Sequence, residues 1–165
     1  MAWKKYLIVI AALFLMANAL PAVADDDGMQ RASGAARISF IFGGLVVDRY
    51  EFSAVHHSDG RVTGRFNFRS RYDDADIRAS GEVICVTVTG NRARVGGIVS
   101  HSDFEQGIPV GSQLLWSVTD NGEGHKDEPD TASPLLGTLN AASFCAAGAP
   151  APEFPVGKGN IQVKP

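Results

Sequence analysis

The chain has 165 residues with 18 acidic and 15 basic side chains, which gives a formal net charge of −3, and 45% of its residues are apolar. This length is sufficient for one domain with a hydrophobic core, and the apolar share is typical of a folded protein. The acidic balance argues against nucleic acid and against anionic membranes as general partners.

The first 24 residues have the pattern of a secretory signal peptide. Lys4 and Lys5 form a positive n-region, residues 6–20 are apolar, and Ala-Val-Ala at 22–24 is a small-residue cleavage site. A transmembrane anchor is the alternative, but the apolar run is short for one. We therefore predict a soluble exported protein that is secreted or resides in the periplasm or at the cell surface. Cleavage leaves 13 basic and 18 acidic side chains, a net charge of −5, and no stable membrane insertion.

Residues 25–36 are acidic or small and have no apolar period, which predicts a flexible acidic N-terminal tail. A single β domain is expected over residues 37–165. Its first strand is predicted at residues 37–42, where apolar side chains alternate with others until Gly43 and Gly44 interrupt the pattern.

Residues 50–56 and 62–68 predict a hairpin whose register follows from the apolar pattern. A two-residue loop mixes apolar and polar side chains on each face of the hairpin. A three-residue loop at 58–60 gathers the large apolar side chains on one face, and Gly60 supplies its left-handed residue. We therefore predict the three-residue loop, with Phe52 opposite Phe66 and Tyr50 opposite Phe68.

A second hairpin is predicted around Gly90 and Asn91. The preceding residues 83–89 are mostly β-branched, which favours a strand, and Gly90 suits the positive φ of a two-residue turn. This register places Cys85 on the face away from the core. The predicted core face consists of Ile84, Val86, Val88, Ala93, Val95 and Val99.

Further along the chain, residues 113–119 and 135–139 predict strands, residues 141–147 a helical turn, and residues 159–164 a closing strand. Many short strands and no long helix indicate an all-β domain. We predict an antiparallel meander that forms a small closed or nearly closed barrel of about eight strands, since closure removes exposed edges. A β-sandwich is the alternative.

The chain has two cysteines, Cys85 and Cys145. In an oxidising compartment an isolated pair is most simply a disulfide. A redox pair or a metal site is less favoured, because the C-x-x-C spacing is absent.

Residues 120–130 are rich in oxygen-bearing side chains around two glycines, as a hard cation such as Ca²⁺ requires. The spacing is not that of an EF-hand, and a solvated acidic turn is the alternative. The predicted calcium ligands are Asp120, Asn121, Glu123, Asp127 and Asp130.

The known sequence motifs of catalytic serines, zinc proteases, P-loops and dinucleotide sites are absent. A hydrolase based on carboxylates is one alternative function. A small-molecule or lipid carrier is another, if the barrel has an open interior. The side chains expected to line such an interior are Tyr50, Phe52, Phe66, Phe68 and Trp116.

Four motifs occur in a fixed order along the chain. They are FSA-x(4)-DG-x(3)-G-x-F-x-F at 52–68, GxVxCVxVxGNxAxVxG at 81–97, VxDNGEG at 118–124 and GNIxV at 159–163. In these motifs the chain resembles a recurring small β module of exported bacterial proteins. The resemblance implies a bacterial source, export and a compact β fold, and it brings no catalytic residues. We therefore expect a non-enzymatic binding or structural module with a partner at or outside the cell surface.

Overall fold

The computed structural model describes residues 28–123, 128–137, 140–147 and 151–165. The predicted signal peptide and residues 25–27 of the predicted tail lie outside this part of the chain. The elements are β1 (Gln30–Ile41), β2 (Leu45–His56), β3 (Val62–Tyr72), β4 (Ala75–Thr89), β5 (Arg92–Ser102), β6 (Gln113–Thr119), β7 (Thr131–Ala132), α1 (Ala141–Ala146), β8 (Phe154–Pro155) and β9 (Lys158–Lys164).

The nine strands form one antiparallel sheet in the order β8-β7-β6-β5-β4-β3-β2-β1-β9. Strands β1 to β8 are therefore neighbours in chain order, as in the predicted meander, and β9 returns to pair with β1. The all-β class and the antiparallel meander are confirmed. The strands at the two edges, β8 and β9, follow each other directly in the sequence, and the sheet is not closed by a ladder between them.

The strand β1 begins at Gln30, so the prediction of a flexible tail up to residue 36 was wrong for residues 30–36. Its small side chains alternate between the core and solvent, with Ala32 and Ala36 at 1% and 4% exposure. The strand is held by ladders on both sides, to β2 and to β9. Backbone pairing on both sides orders a segment whose sequence lacks large apolar groups.

The β2–β3 hairpin has the predicted register. Phe52 lies opposite Phe66 and Tyr50 opposite Phe68. The amide of His57 donates to the carbonyl of Arg61 at 2.8 Å, which leaves residues 58–60 as the loop. Gly60 has the positive φ of 84° that the bulged turn requires.

The β4–β5 hairpin follows its predicted register only near the turn. Val88 pairs with Ala93 and Val86 with Val95, but the register shifts between Val83 and Cys85. This bulge turns the Ile84 side chain outward, where it is 40% exposed, and buries Val83 to 4% exposure. The prediction that Ile84 belongs to the core face was therefore wrong.

The C-terminal part differs from its prediction in one strand. Residues 131–132 form β7, whereas the predicted strand at 135–139 contributes only an isolated bridge from Leu136 to Leu115; residues 138–139 lie outside the described chain. The strand β6, the helical turn and the closing strand β9 lie where the sequence predicted them.

The Cys85–Cys145 disulfide joins α1 to the outer face of the sheet across a sequence separation of 60. A small apolar cluster of Leu115, Ala141, Phe144 and Ala151 surrounds this link. It lies apart from the main core, so the predicted position of Cys85 away from that core is confirmed. Within the described residues no helix has the length and apolar character needed to cross a membrane.

Candidate functional site

The register of the sheet places basic side chains at directly opposed positions on five neighbouring strands. Lys158 of β9 faces Arg37 of β1, and Arg37 in turn faces Arg49 of β2. Arg49 faces Arg69 of β3, and Arg69 faces Arg78 of β4. Opposed residues of an antiparallel ladder lie on the same face of the sheet. These five residues, here called the basic row, run straight across the face that points away from the core.

One carboxylate offsets part of the positive charge at one end of the basic row. The Nε of Arg69 donates to Asp76 Oδ1 at 2.6 Å, and Nη2 of Arg78 lies 3.3 Å from Asp76 Oδ2. The hydrogen bonds from Arg69 lower the pKa of Asp76 to about 2, with a smaller contribution from Arg78. Among the described residues no ion pair reaches Arg37, Arg49 or Lys158. The other end of the basic row therefore stays uncompensated.

The basic row borders an open groove of about 700 Å³. All five of its members line the groove, together with polar groups of the next cross-strand positions, among them Asn67, Ser80 and His101. Glu51 is the acid among the described lining residues. The groove therefore carries a strong local excess of positive charge on a chain whose net charge is negative.

Small residues line the groove beside Lys158. Gly159 has a φ of 125°, and a Cβ at this position would lie 1.9 Å from the carbonyl oxygen of Ala35. A side chain is therefore excluded at Gly159 by both conformation and space. Gly159 therefore allows the β9 backbone to lie close to β1 beside Lys158.

The predicted calcium loop has a different role in the described residues. Asp130 is 8% exposed, and its two carboxylate oxygens accept hydrogen bonds from the amides of Asn121 at 2.9 Å and Ile161 at 2.7 Å. Asp120 accepts from the amides of Gly122 and Val163, both at 3.0 Å. These carboxylates therefore fasten β9 to the connection after β6.

Glu123 of the same loop accepts hydrogen bonds from the side-chain amides of Gln162 and Asn160, at 3.0 and 3.1 Å, which lower its pKa. Asn121 donates through its side chain to the carbonyl of Pro129. Asp127 lies outside the described residues. The described part of the chain holds no group of three or more His, Cys, Asp or Glu that could bind a metal ion. Calcium binding thus gains no support and stays a prediction.

The five aromatic residues predicted to line an interior are all buried and pack against one another. The Trp116 ring centroid lies 6.3 Å from that of Tyr50, 5.6 Å from that of Phe52 and 5.5 Å from that of Phe66. Phe68 is 7% exposed in the same core cluster. The Tyr50 hydroxyl donates to the carbonyl of Ser133 at 3.0 Å. At this level of the core the interior is filled by side chains.

A second polar centre, which the sequence analysis missed, surrounds Glu153. Its carboxylate accepts hydrogen bonds from the hydroxyls of Ser117 at 2.6 Å and Thr119 at 2.7 Å, and from Thr131. The Nη2 of Arg92 donates to it at 2.6 Å. Burial by itself would raise the pKa of Glu153, but these donors outweigh burial and lower the pKa. The carboxylate thus accepts from four side chains, and the centre joins the C-terminal segment to β5, β6 and β7.

Fold and site together define an antiparallel β-domain with a basic groove on its outer face. Comparisons with protein-family models, with curated proteins and with solved structures each found no match. The function proposed below is therefore argued from the geometry and charge of the described residues.

Proposed function

We propose that the chain is an exported, non-enzymatic β-domain that acts as a binding module, secreted or located in the periplasm or at the cell surface. Its contact surface is the basic row with its groove, and its partner presents anionic groups. The observation that carries this proposal is the direct opposition of like charges on five neighbouring strands. Such opposition destabilises a sheet, and a bound polyanion offsets that cost.

The spacing of the basic row suits a partner with repeated negative charges. Neighbouring strands lie about 4.8 Å apart, so five strands span about 19 Å. Guanidinium groups bind carboxylates and phosphates through paired hydrogen bonds, which favours Arg over Lys at such a surface. A single small anion contacts only part of this length, whereas a polymer or a charged surface contacts all of it.

Nucleic acid remains disfavoured as the partner. Binding of single strands relies on aromatic side chains on which the bases stack. On the outer face of β1–β4 and β9, which are described throughout, the positions that alternate with the core carry no Phe, Tyr or Trp. The basic row offers charge without a stacking platform.

The two alternative functions have less support. A carrier needs an open interior, and the contacts of Trp116 with three other aromatic rings fill the core. A hydrolase of this kind needs an accessible pair of acids with shifted pKa values. Asp48, whose pKa burial raises, is 3% exposed and bonded to the Ser70 hydroxyl at 2.6 Å. Glu153, with its lowered pKa, is enclosed by hydrogen-bond donors.

We also propose that the sheet wraps into a nearly closed barrel. Three hydrogen bonds support this. The amides of Ile161 and Val163 in β9 donate to the carboxylates of Asp130 and Asp120 beside the connection after β6, and the amide of Gly157 donates to the carbonyl of Arg37 at 2.9 Å. In such a barrel the basic row belongs to the outer wall and leaves the interior to the aromatic core.

The proposal is tested with heparin, a sulfated polysaccharide, as a soluble polyanion probe. Arg37→Ser with Arg49→Ser should weaken binding by at least about tenfold, since charged hydrogen bonds are lost. The matched control is Arg61→Ser with Lys164→Ser, which removes the same charge from the other end of the strands. Both proteins are compared with the unmodified protein by salt-dependent elution and calorimetry. The proposal would be refuted if both double variants lost heparin affinity equally, or if the unmodified protein did not bind heparin.

A further inference from the structure

The turn between β1 and β2 exposes large apolar side chains. Ile41 is 77% exposed, Phe42 is 78% exposed and Leu45 is 58% exposed. We call residues 41–45 the apolar tip. Isolated exposed apolar side chains are common on protein surfaces, but three at one turn form a patch that marks an interaction site.

The apolar tip is braced by its surroundings. The amide of Phe42 donates to the carbonyl of Gly44 at 2.9 Å, which closes the turn. Tyr72 at the end of β3 packs beside the turn, and a Cβ on Gly44 would lie 3.1 Å from its ring. Tyr72 is itself 37% exposed. The apolar side chains are therefore held outward on a defined turn.

The apolar tip and the basic surface lie on one continuous face of the sheet. Ile41 pairs with Leu45, and the next position on the same face is that of Val47, which pairs with Arg71. The following position holds Arg37 and Arg49 of the basic row. With a rise of about 3.4 Å per residue, Arg71 lies about 7 Å behind the tip and the basic row about 14 Å behind it.

We infer that this face docks on a lipid bilayer with anionic headgroups. The apolar tip enters the boundary between headgroups and acyl chains, Arg71 contacts lipid phosphates, and the basic row faces the charged surface. Peripheral segments bury their apolar side chains about 5–10 Å deep at this boundary, which matches the separation between the tip and Arg71. Tyr72 beside the turn has an apolar ring and a polar hydroxyl, a combination that is favoured at the boundary between headgroups and acyl chains. The inference rests on the proposed function, because the basic row supplies the attraction.

The charges around the apolar tip favour an anionic surface in spite of the acidic chain. At this end of the strands six basic side chains lie on the face, Arg71 together with the five members of the basic row. The acids at this end of the strands include Asp73, Asp74 and Asp76, the buried Asp48, and Asp103, whose carboxylate accepts a hydrogen bond from the Arg78 amide at 2.6 Å. Asp73 is the acid beside the tip, since its Oδ1 would lie 3.5 Å from a Cβ on Gly44. The net charge of the chain therefore does not describe the charge that a membrane would meet.

The test measures binding to vesicles of phosphatidylcholine with and without phosphatidylglycerol. The protein begins at Asp25, which removes the apolar leader and keeps every described residue. We expect binding to the anionic vesicles, about tenfold weaker binding for Ile41→Ser, and tighter binding for Asp73→Asn. Val110→Ser is the matched control, because Val110 is an exposed aliphatic residue in another loop, at 53% exposure. Its binding should equal that of the unmodified protein.

Insertion itself is read from Phe42→Trp. Its emission should shift to the blue on anionic vesicles and be quenched by lipids brominated in the acyl chain, above the background of the buried Trp116.

The outcomes separate this inference from the proposed function. Heparin binding without vesicle binding overturns the inference and leaves the proposed function standing. Vesicle binding that Ile41→Ser does not change, or an unshifted Phe42→Trp emission, also overturns it, since the attraction is then purely electrostatic. A dimer that Ile41→Ser dissociates, without vesicle binding, assigns the tip to a second copy of the chain. Failure to bind either probe overturns both.

Discussion

At the scale of single residues, Glu153 shows how polar groups hold the C-terminal segment. Its side chain is 9% exposed and is paired with Arg92, and the hydroxyls of Ser117, Thr119 and Thr131 occupy its oxygens. None of these partners lies near Glu153 in the sequence, and the segment around it is rich in Pro and Ala. The sequence therefore carries no signal for this centre, which only the folded sheet assembles.

The lowered pKa of Glu153 predicts a specific dependence of stability on pH. The ionised carboxylate of Glu153 stabilises the folded state, because its pKa is lower in the folded than in the unfolded protein. This contribution is complete above the unfolded pKa of about 4.3 and is lost as the pH falls through the folded pKa. Glu153→Gln should cost about 1–3 kcal/mol at pH 7 and reduce the loss of stability below pH 4.3. Urea unfolding between pH 2 and pH 7 measures both effects. An unchanged acid dependence in the variant would contradict this role.

At the scale of elements, the sequence predicted the β2–β3 register because alternative loop lengths gave different apolar faces. Near Cys85 the apolar pattern does not select a register. Val83, Ile84 and Val86 are all apolar, so either face of the strand could be the one that packs on the core. The bulge at Ile84 therefore could not be predicted from the pattern. Residues 30–36 were misjudged for a related reason, because small side chains form a strand only through their neighbours β2 and β9.

The disulfide is the covalent link between elements, and its contribution is measurable. It closes a loop with a sequence separation of 60, which is worth about 4 kcal/mol in the chain-entropy model. Cys85→Ser with Cys145→Ser should lower the free energy of urea unfolding by about that amount. The reduced wild-type protein is the control and should match the double variant. A loss below about 1 kcal/mol would show that α1 is held without the covalent link.

At the scale of the whole molecule, charge is segregated. The net charge of −3 pointed away from anionic partners, yet six basic side chains lie together at one end of one face of the sheet. Considered by itself, each Arg of the basic row looks like an ordinary solvent-exposed residue of a strand. The basic row becomes visible only when the registers of four strand pairs are known together, and the sequence predicted one of those registers, that of β2 with β3. The candidate site was therefore beyond sequence analysis, although the antiparallel meander was not.

The central claim is that the basic row binds anions, and a nuclear magnetic resonance titration tests it most directly. Heparin fragments are added to ¹⁵N-labelled protein, and the backbone amide shifts are followed residue by residue. We expect shifts at residues 35–37, 49–51, 67–69, 78–80 and 158–159, which line the groove. Shifts confined to other surfaces, such as β6 and α1, or none at all, would contradict it.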